Sequence, residues 1–206
     1  MTESILQTVL QFYHENRWEE ALKVNKNSDN LEASKVLWVW PSLMNLRFLK
    51  KKCLEFQMEG FVSLGCGCGL LEWFIHNATG LPVMGYEINE AWWKSKYSCP
   101  QFIPLNFSPE IPDSSMLNSK CALLFCYFNN RPAFLDYVKC YKGNMVIIIG
   151  PGEGSGRHTD PEPFKPGFDS PEWILNDYQE VKDTKDYVAV YVRKQANRML
   201  GWVFKI

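Results

Sequence analysis

Histidine is scarce in this chain of 206 residues. His14, His76 and His158 are all there is, and none forms a metal-ligand spacing with cysteine, so no metal is expected. No apolar run approaches the roughly 18 residues that a bilayer-spanning helix needs, so no membrane segment is expected. The longest runs, 121-CALLFCYF-128 and 145-MVIIIG-150, have the length of buried strands. Neither sign of charge is in excess, with 22 Lys and Arg against 23 Asp and Glu. A global basic field for nucleic acid is therefore missing, as is an acidic one for cations. The first 20 residues lack the basic start, apolar middle and small-residue cleavage site of a secretory signal. Seven cysteines, an odd number, favour reduced thiols and a cytoplasmic setting, with the nucleus as an alternative.

What the chain does have is core material: 46% hydrophobic and 15% aromatic residues, enough to exclude disorder and to fill one domain of this length. Apolar residues from Ile5 to Tyr13 recur at helical spacing, and a short helix is expected over 17–24. Residues 25–30 read as a loop. The stretch 35-KVLWVWPSLMNLRFLKKKCLEF-56 reads as helix interrupted at Pro41 and Ser42. Its Arg47, Lys50, Lys51 and Lys52 form either a solvated face or a phosphate-contacting patch.

From residue 60 the pattern becomes strand and helix in alternation. Strands are expected at 61–64, 82–87, 102–107, 121–128 and 145–150, with helices at 69–76, 89–97, 113–119 and 131–143. Five buried strands alternating with helices imply a doubly wound, mostly parallel α/β sheet. Ser170, Pro171 and Glu172 look like a helix start. The segments 187–194 and 201–206 read as an antiparallel pair closing the sheet edge at the C-terminal end.

The decisive stretch is 62-VSLGCGCGLLEWF-74, where a strand ends, a glycine-rich turn follows and a helix begins. Such a turn brings backbone N–H groups and a helix N-terminus close to a ligand. The second strand ends in Glu87, 18 positions after Gly69, where a carboxylate accepts both hydroxyls of a ribose. Together they point to an adenosine-containing cofactor. The dinucleotide fingerprint requires glycine at position 70, which is Leu70, so a nicotinamide-dependent oxidoreductase is disfavoured.

Glycines at 65, 67 and 69 make the segment 61-FVSLGCGCG-69 similar to the first motif of class I S-adenosylmethionine-dependent methyltransferases. The resemblance extends through 83-VMGYEIN-89 and covers roughly residues 60 to 194. It implies a Rossmann-like methyltransferase domain over 59–206, with residues 1–58 as an N-terminal helical cap within one compact unit. It also implies that Gly65, Cys66, Gly67 and Gly69 form the cofactor loop, that Glu87 holds the ribose and that Ile88 packs on the adenine. The family usually has an acid two positions before the first glycine, and this chain has Ser63. A methyltransferase-like binding or scaffold domain without turnover is accordingly the alternative. The acceptor, whether small molecule, protein or RNA, is left open.

Acceptor chemistry in a doubly wound sheet belongs beyond the carboxyl ends of the strands. There Asn129 either orients an acceptor through its amide or takes part in capping the next helix. His158, in the loop 151–167, is either a general base or a surface histidine. The loop's 152-GEGSG-156 reads as a lid or substrate loop, with Glu153, Arg157 and Asp160 beside it. Trp38 and Trp40 cover the active site or pack the core, and the same choice holds for Trp92 and Trp93 beside the adenine pocket.

Overall fold

Ser4 and Ser42 each start a helix by the same device. Each side chain accepts from the backbone N–H three residues on, and that residue's side chain returns the bond. They open α1 (Ile5–His14) and α4 (Leu43–Glu55), between which lie α2 (Trp18–Lys23) and the single turn α3 (Leu31–Ser34). The computed structural model describes residues 4–25, 31–108 and 116–196. Part of the loop expected at 25–30 lies outside them, as do residues 113–115 of the helix expected there; residues 116–120 are not helical.

The expected helix from residue 35 is corrected: residues 35–42 are irregular and helix begins only at Leu43. Pro41 disfavours helix in the residue before it, and Ser42 then serves as a cap rather than an interruption. The basic cluster on α4 also divides. Arg47, Lys50 and Lys51 are exposed, whereas Lys52 is buried. Its ammonium contacts Glu55 at 3.0 Å, Asp177 at 2.9 Å and Asn176 at 2.9 Å. Burial alone would lower the Lys52 pKa, but the two carboxylates outweigh it and raise the value.

The sheet has seven strands. They are β1 (Gly60–Leu64), β2 (Val83–Glu87), β3 (Leu105–Phe107), β4 (Cys121–Cys126), β5 (Met145–Pro151), β6 (Trp173–Val181) and β7 (Asp186–Arg193). Their order is β3-β2-β1-β4-β5-β7-β6; the first five are mutually parallel and β7 is antiparallel to both its neighbours. The crossovers carry α5 (Leu70–Thr79), the turn α6 (Glu90–Trp93) and α7 (Arg131–Cys140). Helix α6 ends four residues earlier than the expected 89–97.

Both faces of the sheet are covered, as its continuous apolar strands require. Phe61, Leu124, Ile147 and Val190 join one core with α1, α2, α4 and α5; Val62, Phe125, Val146 and Ile148 join a second with α7. Helix α4 packs on α5 and on β6.

The C-terminal part departs from expectation. Ser170 does accept a hydrogen bond from the Glu172 amide at 3.3 Å, but no helix follows. Residues 173–181 form β6, pairing along their length with β7 and interrupted by a bulge between Leu175 and Asp177. A local cap signal is thus overridden by pairing with a neighbouring strand. The antiparallel edge exists, but its outer strand is 173–181. The expected strand 201–206 lies outside the described residues.

Candidate active site at the strand tips

The turn from β1 to α5 is built by backbone conformation. Gly67 and Gly69 adopt φ of +62° and +78°, a region that side chains disfavour. At Gly69 a Cβ would also collide with Ile103. The Gly65 amide donates to the Tyr86 carbonyl at 2.9 Å, and the Gly67 amide donates to Glu87 Oε1 at 2.6 Å. The strand-two carboxylate therefore already meets the glycine turn, 20 residues earlier in the chain.

Three cavities run along the strand tips. One of about 140 Å³ is lined by Gly65, Tyr86, Glu87, Ile88, Phe128 and Asn130 among others. A second, of about 240 Å³, lies across Gly65 and is walled by Gly67, Cys68, Glu72, Trp38 and Tyr127. The third, about 640 Å³, shares Ser34, Leu37 and Trp38 with the second and reaches Arg157 and the turn 182–186 between β6 and β7. Gly65 is common to the linings of the first two cavities, so the glycine turn lies between them.

The β4 tip forms the wall between the second and third cavities. Tyr127 has φ of +50°, strained for a bulky residue. Its hydroxyl donates to Asp186 at 2.7 Å and accepts from the Arg157 guanidinium at 2.7 Å. Asp186, 2% exposed, also accepts from Arg157 at 3.0 Å and Thr184 at 3.1 Å. Burial, and then Asp186, push the Tyr127 phenol well above its ordinary pKa, so it keeps its proton. On the other side Trp38 stacks on Tyr127, with centroids 5.6 Å apart and planes at 11°.

Beneath the glycine turn Ser63 is buried, and its hydroxyl donates to Glu72 Oε1 at 2.6 Å. Glu72 comes from the first turn of α5 and has no solvent exposure. Burial, with the Glu87 charge adding to it, raises its carboxyl pKa to about 7, against the lowering effects of the Ser63 bond and of its own backbone amide. Its Oε2 has no hydrogen-bond partner among the described residues. Burial, with Glu72 and Glu87 adding to it, holds the Cys66 thiol far above its usual range, so it is no nucleophile.

No protein-family model matches the sequence, and no curated protein matches it either. Among solved structures, the methyltransferase domain of a bacterial Hen1 superposes with a TM-score of 0.50 at 12% identity, covering 73% of this chain and all of that one. The fold is that of the class I methyltransferases. Magnesium protoporphyrin IX methyltransferase from Synechocystis PCC 6803, crystallised with bound S-adenosylmethionine, is similar at 10% identity and a TM-score of 0.47, over 94% of this chain and 99% of that one. An O-methyltransferase from Bacillus cereus, in complex with S-adenosylhomocysteine, gives 13% and 0.48 over 94% and 92%.

Within this methyltransferase fold Gly65, Cys66, Gly67, Glu87 and Ile88 lie together around the first two cavities, and Gly69 closes the turn as the cap of α5. The rim candidates lie elsewhere. Asn129 is exposed and forms a bridge to Asp160; its neighbour Asn130 caps α7, accepting from the Ala133 amide at 3.1 Å. His158 is exposed, with Nδ1 3.4 Å from Glu162, and lines none of the three cavities. The tryptophans divide as well: Trp38 and Trp93 line the second cavity, whereas Trp40 is buried and donates to the Ala33 carbonyl. Loop 152–157 is tied to the β6–β7 turn, with Gly152 N–H donating to Lys185 O at 2.7 Å and Lys185 to Gly154 O at 3.0 Å.

Two groups at this site escaped the sequence. Tyr127, Arg157 and Asp186 are 29 to 59 residues apart and meet only through the sheet order. Glu72 did leave a signal, because it is the one acid inside the apolar run LLEWFI, where a carboxylate needs a reason to be buried.

Among the described residues, no group of three or more His, Cys, Asp or Glu could hold a metal ion. Nor is any helix among them long and apolar enough to cross a membrane.

Proposed function

We propose that this chain is an S-adenosylmethionine-dependent methyltransferase. The observation that carries the reading is the succession of cavities along the strand tips: a recess beside Glu87, the glycine turn that it shares with the second cavity, then a larger cleft. Adenosine lies along the first recess, partly outside it, with Glu87 accepting from the ribose hydroxyls and Ile88 against the base. The methionine portion crosses Gly65 and Gly67 into the second cavity. The acceptor enters the third, past Trp38 and Tyr127, and meets the methyl group at the wall those two side chains form.

Methyl transfer from a sulfonium to a nucleophile is a displacement in which the donor is already activated. The protein's part is to align donor and acceptor and to exclude water. Lys182 and Lys185 line the larger cleft together with Asp183, and with Trp38 exposed within it they suit an acceptor having an aromatic or apolar body and a polar or anionic group. An acceptor too large for the cleft meets Asn129 and His158 on the rim, where they take the orienting and proton-accepting roles.

A second reading is a domain that holds the cofactor without turning it over. Ser63 in place of an acid favours it, as does a Tyr127 hydroxyl already committed to Asp186. The test is calorimetric titration with S-adenosylhomocysteine, followed by transfer of labelled methyl to candidate acceptors. Wild-type protein is expected to bind, and Glu87→Ala to weaken binding by about 100-fold, the scale of two hydrogen bonds to a charged group. Failure of the wild-type chain to bind overturns the methyltransferase reading. Binding without transfer to any acceptor favours the second.

A further inference from the structure

The second cavity contains a group whose present surroundings do not explain it. Glu72 is fully buried, Ser63 satisfies one of its oxygens, and Oε2 has no hydrogen-bond partner among the described residues, although Glu72 is one of the residues around the cavity beside Gly65 and Gly67. Burying a carboxylate without a partner costs several kcal/mol unless a cation reaches it. The charged and titratable groups around it supply none. Cys66 on the turn and Cys126 on β4 are thiols that burial keeps protonated. Glu87 on β2 is an acid. Lys35, on the segment that closes the cavity, is exposed and pairs with Glu32 at 2.6 Å.

We infer that Glu72 is a cofactor-binding residue, its free oxygen receiving the α-ammonium group of the cofactor's methionine part. The inference rests on the methyltransferase reading and refines it. An adenosine held at Glu87 extends its 5′ substituent across Gly65, so the amino-acid end reaches the cavity that Glu72 walls. An ammonium brings N–H donors to an oxygen that lacks one, whereas a sulfonium has no hydrogen to donate. On this account Ser63 and Glu72 share one task. The acid has moved from strand β1 to the facing helix, and Ser63 orients it by donating to Oε1.

The experiment uses the full chain and three ligands at pH 8: S-adenosylhomocysteine, which carries the ammonium without the sulfonium; S-adenosylmethionine, which carries both; and 5′-methylthioadenosine, which carries neither. Glu72→Gln keeps the size and the Ser63 contact. It is expected to weaken both amino-acid ligands about 10- to 30-fold and to leave methylthioadenosine within about 2-fold. The double variant Ser63→Asp/Glu72→Gln, with the acid returned to the strand, is expected to recover most of that loss. Equal weakening of all three ligands, no weakening, or weakening of S-adenosylmethionine alone overturns the assignment while leaving the methyltransferase reading intact.

Should Glu72→Gln fail to fold, the wild-type protein answers instead. Titration near pH 6.5 in two buffers of different ionisation enthalpy is expected to show proton release on binding S-adenosylhomocysteine and none on binding methylthioadenosine. Identical proton counts for the two overturn the assignment. If the wild type binds none of the three ligands, this assignment and the methyltransferase reading fail together.

Discussion

Two polar clusters face each other across the strand tips, and they are completed differently. In the Tyr127–Arg157–Asp186 knot, the Tyr127 hydroxyl both donates and accepts, and Asp186 accepts from three side chains. In the Ser63–Glu72 pair a single bond is made and one buried oxygen is left over. A cluster that closes on itself fixes a shape, here the strained Tyr127 backbone and the wall that Trp38 stacks on. A cluster left open is held at a cost in the free protein and repaid when something else completes it. The knot is architecture and the pair is a binding group.

The comparison breaks most visibly at Asp186. Asp186→Ala removes the acceptor for Tyr127, Arg157 and Thr184 together, leaving the phenol and the guanidinium without their shared partner. Arg157 is 39% exposed and regains some hydration, which keeps the cost to about 3 kcal/mol. In a chain of this size that lowers Tm by about 10 °C, measurable by calorimetry. An unchanged Tm would mean that the closed cluster fixes nothing, and the contrast with Glu72 would collapse.

Legibility in the sequence follows the same division. The glycine turn, Glu87 and the five parallel strands were readable because each rests on local pattern: positive-φ positions filled by glycine, apolar runs of strand length, an acid at a strand tip. The knot was not, because Asp186, Arg157 and Tyr127 meet only through an order that inserts β7 between β5 and β6. The β6 strand was hidden by a Ser-Pro-Glu signal that is real locally but is outweighed by pairing with β7. Ser63 read as a missing acid, and only the structure shows a carboxylate reaching it from α5, where Glu72 accepts its hydroxyl at 2.6 Å.

An effect of opposite sign, no larger than that at Asp186 and confined to high pH, is expected at Glu72. Its carboxyl pKa is raised from 4.5 to about 7 in the folded state, so the protonated form is favoured by folding. Wild-type stability therefore declines as pH rises from about 4.5 through about 7, the window in which the buried group must ionise. Glu72→Gln carries no such cost. Without ligand it is expected to be more stable than wild type by up to about 3 kcal/mol at pH 8, the difference shrinking towards zero at pH 4.5. Melting curves across that range check it. A stabilised variant that binds cofactor less well marks a group kept for its ligand rather than for the fold. A destabilised one places Glu72 with the knot.

The smallest stability effect is expected at Trp38, which belongs to both regions. It stacks on Tyr127, a member of the knot, yet it is 66% exposed and lines both the second and the third cavity. An exposed stacked pair contributes about 1 kcal/mol, so Trp38→Ala lowers Tm by only about 2–4 °C. If Trp38 serves the acceptor, as the cleft implies, S-adenosylhomocysteine affinity stays within about 2-fold in this variant. Acceptor binding would be lost, read as a raised KM with a smaller change in kcat. A Tm loss as large as that of Asp186→Ala would instead assign Trp38 to the knot. The wall between the two cavities would then be held by all three aromatic and charged layers, Trp38, Tyr127 and Arg157, acting as one structural unit.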